Sequence, residues 1–325
     1  MGQKETDSVV KVGVIGVGHY GRNHARVYAD LSEIELAGVA DIDEETARSV
    51  ADQFGTRPYT DYREMLGEVS AVSVAVPTSM HHSVSADCLR AGVHVMVEKP
   101  IAAKASDADD LVDLAAACGL VLQVGHVERF NGAIRKLHEV VDRPLFIEAH
   151  RLSTYPDRNV DVDVVLDLMI HEIDIVLGLV RSPVTSVDAV GVPVLSDSED
   201  IANARLKFES GCVANLTASR VSVTKMRKIR VFSTDAYVSL NYSDQRLSVY
   251  RRNPGEPAPG ESRMTLVNVE DVPVDRGEPL KLELESFLHC VRTGDQPVVS
   301  GRDGRAALAL AQQIADSVRE SSVIQ

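Results

Sequence analysis

Residues 12–24 read VGVIGVGHYGRNH, an apolar run that ends at Ile15 and passes through Gly16, Gly18 and Gly21 into a stretch of helical character. A strand that feeds G-x-G-x-x-G and then a helix opens a doubly wound α/β domain. The first glycine makes the tight turn, the second lets the backbone approach a pyrophosphate, and the third lets the helix pack on the strand. The helix N-terminus, with Tyr20 at its start and His19 just before it, offers unpaired N–H groups and a partial positive charge to phosphates. Asp41 closes the next strand, about 20 residues after Gly21, where this fingerprint places the ligand of a ribose 2′-hydroxyl. A carboxylate there repels a 2′-phosphate, so the pattern favours NAD over NADP. Asp41 also reads as a helix cap, but Asp43 is better placed to cap the helix from Glu44.

Outward from this stretch, short apolar runs alternate with helical segments. Strands are expected at 11–15, 35–40, 71–76, 93–98 and 121–124, and helices at 20–29, 44–54, 84–91 and 106–118. Past residue 126 the rhythm changes. A helix at 132–141, a strand at 145–150 and a helix at 162–180 precede a run of strand candidates between 186 and 269, among them 202–208, 212–218, 229–233, 237–241 and 247–250. Strands without intervening helices imply a mostly antiparallel sheet. Residues 253–262 (NPGEPAPGES) read as an exposed loop, and 280–291 and 306–320 as closing helices. The expected organisation is a Rossmann domain over 1–125, followed by an α+β domain over 126–325 with a large, mostly antiparallel sheet. The C-terminal helix has the option of packing back on the first domain.

Bulk properties narrow the function. The chain has 325 residues, 44% of them apolar, and a net charge of -14. It is long enough for two cores, and its acidic surface argues against nucleic acid or an anionic membrane as the main partner. Cys88, Cys118, Cys212 and Cys290 are scattered, which suits neither a zinc ribbon nor a disulfide framework and fits a reducing cytoplasm. Residues 1–8 are polar, without the apolar core of a signal peptide, and no run approaches bilayer length. His81 and His82 are adjacent and lack a third ligand at useful spacing, so no metal is expected.

Two further motifs carry chemistry. The strand 93–98 ends in Glu98-Lys99-Pro100, and the helix 162–180 carries Asp167 and His171 in D-x-x-x-H spacing, followed by Asp174. With the glycine fingerprint and Pro77-Thr78-Ser79-Met80-His81, they make nearly the whole chain resemble the glucose-fructose oxidoreductase / inositol dehydrogenase / MocA family. The resemblance implies an NAD-dependent dehydrogenase acting on CH–OH groups. It places Pro77, Thr78, His81, Glu98 and Lys99 beside the cofactor together with Gly16, Gly18, His19, Tyr20, Gly21 and Asp41. In that family the lysine reaches the reacting centre, often through a cis bond to the proline, and the histidine acts as acid or base. The residues themselves agree. Asp167 and His171 lie one turn apart, so a carboxylate can orient an imidazole, and a lysine at the end of a parallel strand sits where open α/β sheets bind ligands. Each alone also reads as a solvated charge or a helix-stabilising pair; their joint occurrence makes them candidate catalytic residues.

Three strings, QVGHVERFN (123–131), DLMIHEIDIVL (167–177) and ASRVSVTKMRKIRVF (218–232), narrow the resemblance to the branch that oxidises C3 of UDP-N-acetylglucosamine. That branch prepares 3-amino sugars for lipid A, with an aminotransferase as the coupled partner. Arg220, Lys225, Arg227, Lys228 and Arg230 form a basic island in an acidic chain, and Arg151 and Arg158 flank the turn at 153–156. Arg151, Arg158, Arg220 and Arg227, with Lys99 and His171, are therefore the candidate substrate ligands, the arginines clamping a diphosphate. These charges equally suit a solvated sheet face or a subunit contact, and the large sheet suggests a homodimer or homotetramer. The rival readings are the same chemistry on inositol, a free sugar or another nucleotide sugar, and a non-catalytic dinucleotide sensor.

Overall fold

The structure, a computed structural model, describes residues 9–155, 163–234, 236–257 and 260–321. Residues 1–8, Arg158 and the expected helix start at 162 fall outside these. The chain divides into two compact units, one comprising Met1–Val127 with Leu280–Arg305, the other Glu128–Pro279 with Ala306–Gln325.

The first unit alternates strand and helix: β1 (Val10–Ile15), α1 (His19–Asp30), β2 (Ile34–Ala40), α2 (Glu44–Phe54), β3 (Arg57–Tyr59), β4 (Ala71–Val74), α3 (Thr78–Arg90), β5 (His94–Glu98), α4 (Ala105–Cys118) and β6 (Leu122–Gly125). The six strands are parallel, in the order β3-β2-β1-β4-β5-β6. Every residue of β4 and of β6 is buried, the mark of a sheet covered on both faces. The chain reverses its direction of winding between β1 and β4, and ligands of such sheets bind at the carboxyl ends of the strands beside that point. Two elements depart from expectation. β3 has three residues and contains Pro58, so it carries little strand signal and suits only a sheet edge. α3 begins at Thr78 rather than at residue 84, because its first two turns, TSMHHS, have no apolar period to reveal them.

The second unit holds α5 (Gly132–Val140), β7 (Phe146–Leu152), α6 (Ile170–Val180), β8 (Val184–Val192), β9 (Ile201–Phe208), β10 (Val213–Ser219), β11 (Met226–Phe232), β12 (Ala236–Asn241), β13 (Arg246–Arg252) and β14 (Val267–Val272). Its eight-stranded sheet runs β14-β13-β12-β11-β7-β10-β9-β8, with β7 parallel to β10 and every other neighbour antiparallel. Burial alternates along β7 and β9, so one face of the sheet is core. There Ile147, Ala149, Leu206, Leu216, Ile229 and Leu240 pack with Ile134 and Leu137 of α5 and Ile173 and Val176 of α6.

Helices α7 (Pro279–Thr293) and α8 (Gly301–Ser321) close the chain. Residues 280–305 were expected in the second domain. Instead Leu284, Phe287, Leu288 and Cys290 join the core of Val10, Val12, Val14, Tyr28 and Val39, and the first unit is therefore discontinuous in sequence. A Cβ at Gly304 would come within 2.5 Å of the Val124 side chain, which brings the start of α8 onto β6.

Phe287 is fully buried in the first core. Phe287→Ala should therefore cost about 3–5 kcal/mol, read by urea unfolding, whereas a loss below about 1 kcal/mol, the cost of an ordinary point mutation, would place α7 outside that core.

Candidate active site

Four chain segments reach the carboxyl edge of the parallel sheet side by side. The glycine loop follows β1, Asp41 follows β2, Pro77 and Thr78 follow β4, and Lys99 follows β5. At the loop, the Gly16 N–H donates to the Ala40 carbonyl at 2.8 Å. Gly16 adopts a φ of 82°, and a Cβ there would meet the Ala75 and Val76 backbone at 2.8 Å. At Gly21 a Cβ would stand 1.8 Å from the Gly16 carbonyl oxygen. Gly18 differs, since a Cβ there would meet nothing within 4 Å. Gly16 and Gly21 thus shape the loop, and Gly18 keeps its outer surface bare. α1 starts at His19 with Gly18 as N-cap, no capping side chain and no acidic residue in its first turn, which leaves its N–H groups for an anion.

Asp41 is fixed rather than swinging. Its Oδ2 accepts the Val17 N–H at 2.9 Å and its Oδ1 accepts the Asp43 N–H at 3.1 Å, while Asp43 caps α2 by accepting the Thr46 N–H at 2.7 Å. Each Asp41 oxygen keeps acceptor capacity for a hydroxyl. Tyr20 in the first turn of α1 and Ile42 in the loop after β2, exposed at 48% and 87%, are apolar surface.

Lys99 is held by its backbone. Its N–H donates to Glu98 Oε2 at 3.2 Å, and Glu98 Oε1 lies 3.0 Å from His24 Nε2 on α1. Burial pushes the Glu98 carboxyl up, but His24, Lys99 and His81 outweigh it and hold the group below the ordinary carboxylate range. The Lys99–Pro100 peptide is cis. His81, expected at the cofactor, is buried with both ring nitrogens on carbonyls, Nδ1 2.7 Å from Pro100 and Nε2 2.9 Å from Val76. It braces the loops after β4 and β5 from within, and burial lowers its pKa against the pull of those carbonyls.

In the second unit His171 lies in the first turn of α6. The segment before it is not plain α-helix. Val165–Met169, which includes Asp167, forms a π-helical turn in which the Ile170 N–H reaches back to the Val165 carbonyl. Asp163 caps it, Oδ1 accepting the N–H groups of Val165 and Leu166 at 2.9 Å each. Asp167 and His171 therefore share one continuous helical segment with a wide turn in it, a feature that recurs at functional sites.

The arginine expectations need correction. Arg151 is 3% and Arg220 1% exposed. Arg151 Nε donates to both oxygens of Glu172, at 2.8 and 3.0 Å, and an Nη donates to Glu128 Oε1 at 2.9 Å. Arg220 donates to Asp200 Oδ1 at 2.8 Å and to Ser196 and Ser198. Asp200 also accepts the N–H groups of Val194, Leu195 and Ser196. These donors outweigh burial and hold its carboxyl far below the usual range. Both guanidiniums are structural, since buried charge must be paired. Period-two alternation splits the rest of the island. Arg227 lies opposite Arg151 across the β7/β11 ladder, whereas Lys228 and Arg230 face away with His150 and Glu148. Arg227 is half-exposed, its Nη 3.3 Å from Glu128 Oε1. Arg158 lies outside the described residues. Glu128, Glu172 and Tyr242 carry no local signal as partners, because they pair across 21 to 99 positions.

Comparison with known proteins agrees with this fold. Residues 10–126 match the NAD-binding Rossmann-fold domain of the GFO/IDH/MocA oxidoreductase family, and residues 130–239 match its C-terminal domain. The chain is 38% identical to UDP-N-acetylglucosamine 3-dehydrogenase of Acidithiobacillus ferrooxidans, over 94% of this chain and 96% of that protein. A solved structure of that enzyme superposes with a TM-score of 0.89 at 36% identity, covering 96% of this chain and 99% of the other. Myo-inositol 2-dehydrogenase of Thermotoga maritima is 26% identical over 97% and 98% of the two chains.

Two tests follow from the glycines and from Asp200. Gly18→Ala should fold with stability within about 0.5 kcal/mol of the parent, as an open surface position allows, yet bind NADH more weakly. Gly21→Ala should lose stability outright. The chain has no Trp, so NADH fluorescence reads binding without a protein tryptophan signal, and equal affinity in Gly18→Ala would sink the loop's assignment. A carboxyl depressed by folding stabilises above its unfolded pKa and loses that contribution as pH falls towards its folded one. The Tm gap between the parent and Asp200→Asn should thus be widest above about pH 4 and narrow below it; a gap that is constant with pH would contradict an ionised Asp200.

Proposed function

This chain belongs to the GFO/IDH/MocA oxidoreductase family, and on that footing we propose that it oxidises the C3 hydroxyl of UDP-N-acetylglucosamine to a ketone with NAD as hydride acceptor. The observation that carries this reading is the 38% identity to an enzyme of that name over nearly the whole of both chains. Three features of the molecule support it. The glycine loop, the uncapped start of α1 and the fixed Asp41 carboxylate suit a dinucleotide with a free 2′-hydroxyl. Lys99 stands at the carboxyl end of β5. Arg227 is a half-exposed guanidinium suited to an anionic group.

Bound NAD supplies the hydride acceptor. Among the chain's own groups, His171 takes the proton of the sugar hydroxyl as general base. Asp167 orients His171, and Lys99 donates a hydrogen bond to the reacting oxygen, stabilising the negative charge that develops there. Gly16, Gly18, Gly21 and the first turn of α1 hold the pyrophosphate, with Asp41 on the ribose. Arg227 meets the substrate's diphosphate. A 3-keto sugar is reactive and its formation is reversible, so an aminotransferase that consumes it completes the reading, as does a homo-oligomer built on the large sheet.

The purified protein with NAD should form NADH from UDP-N-acetylglucosamine and neither from free N-acetylglucosamine nor from inositol. Equal turnover of inositol would replace the nucleotide-sugar reading, and no NADH from any sugar would favour a dinucleotide sensor. Lys99→Ala and His171→Ala should bind NADH normally and lose about 10²–10⁴-fold in kcat. Arg227→Ala should raise KM for the nucleotide sugar about tenfold, the scale of one charged hydrogen bond.

A further inference from the structure

The helix that carries His171 begins with a π-helical turn at Val165–Met169 and continues as α-helix from Ile170. A π turn amounts to one extra residue in the helical path. Were it to relax into regular α-helix, everything beyond it would roll by about 100°, one residue's rotation at 3.6 residues per turn. His171 is the second residue after the turn and would roll with it.

Two buried ion pairs oppose that roll. Glu172, adjacent to His171, is fully buried and accepts from Arg151 of β7 at 2.8 and 3.0 Å. It also accepts a hydrogen bond from the Tyr242 hydroxyl. Two residues on, Asp174 is 2% exposed and takes a two-pronged contact from Arg129, Nε to Oδ2 at 2.6 Å and Nη to Oδ1 at 3.0 Å. The anchors are themselves fixed. Arg151 is pinned by Glu128 as well, Asn131 donates to the Tyr242 carbonyl at 3.0 Å, and the Arg129 guanidinium fills the space beside Gly178, where a Cβ would come within 2.5 Å of it. Positions 172 and 174 lie about 200° apart around an α-helix. The two pairs thus grip opposite flanks, and a helix held on opposite flanks by planar, forked contacts cannot turn about its axis without breaking one.

We propose that Glu172 and Asp174 are positioning residues for His171, and that their arginine clamps set the rotational phase of the α6 imidazole against the π turn. This rests on the reading of His171 as the base. Stability alone does not explain two buried ion pairs on one helix, because well-packed apolar side chains serve a core at least as well.

The test uses the full-length protein with NAD and UDP-N-acetylglucosamine. Glu172→Gln and Asp174→Asn keep size and shape but remove the charge that holds the fork. Each should lower kcat roughly ten- to hundredfold, the scale of a misplacement of about 1 Å. NADH should still bind one equivalent per chain, and the solvent deuterium isotope effect on kcat should rise as proton transfer becomes limiting. A role confined to stability gives a different signature, with kcat falling only as the NADH-binding fraction falls and the isotope effect unchanged; that result overturns the proposal, as does a kcat within twofold of the parent. Should these variants not fold, Tyr242→Phe decides, since it removes only the hydroxyl that Glu172 accepts. A fall in kcat with a raised isotope effect supports the clamp, and no change in either refutes it. His171→Ala separates the premises: turnover retained there removes the base itself, whereas a dead His171→Ala beside unaffected Glu172 and Asp174 variants removes only the clamp.

Discussion

The closeness of Gly21 to the Gly16 carbonyl is the constraint on which the first unit's site depends. With no room for even a methyl group at residue 21, α1 can start where β1 stops, and its N-terminus arrives at the sheet's carboxyl edge. The same loop presents the Val17 N–H to Asp41, so the turn proposed for the pyrophosphate also fixes the carboxylate proposed for the ribose. The rest of that edge follows from strand order. Because β2, β1, β4 and β5 are neighbours, the residues just beyond each of them are brought side by side although they are spread from 16 to 99 in sequence.

Behind that edge, buried imidazoles do mechanical work. His24 holds Glu98, which holds the Lys99 backbone, and His81 ties Pro100 to Val76. Burial disfavours the charged form of His81, as expected for a brace rather than a proton carrier. The second unit uses charge for the same purpose. Burial raises the Glu172 carboxyl against the pull of Arg151 and Tyr242, and the carboxylates keep Arg151 protonated despite its own burial. Removing either partner strands the other in the core, which makes such pairs costly to break and therefore good at fixing geometry.

What was legible in the sequence divides along the range of the interaction. Local signals served well: the glycine turn, the cap at Asp43 and the period-two strands each depend on neighbours within a few residues. The short Pro-containing β3, the polar first turns of α3 and the π turn at Asp167 have no periodic trace, so sequence placed the first nowhere, began the second late and read the third as plain helix. Membership of α7 in the first core was out of reach for another reason. An apolar stripe announces that a helix will be buried without saying against which sheet.

The arginines make the sharpest case. A basic cluster in an acidic chain suggested a ligand for phosphate, and for Arg227 the structure leaves that reading open. For Arg151 and Arg220 it does not, because each has a carboxylate partner 20 or 21 positions away that no spacing rule connects to it. Charge counted along the chain cannot separate a cation waiting for substrate from one already neutralised, since the difference is a matter of burial and fold. Yet two of the strings that narrowed the resemblance to one branch, QVGHVERFN and DLMIHEIDIVL, contain Glu128, Arg129, Glu172 and Asp174. Much of what made them distinctive is thus the anchoring of the His171 helix rather than contact with a ligand. A resemblance can be correct about chemistry while resting largely on the residues that hold the chemistry in place.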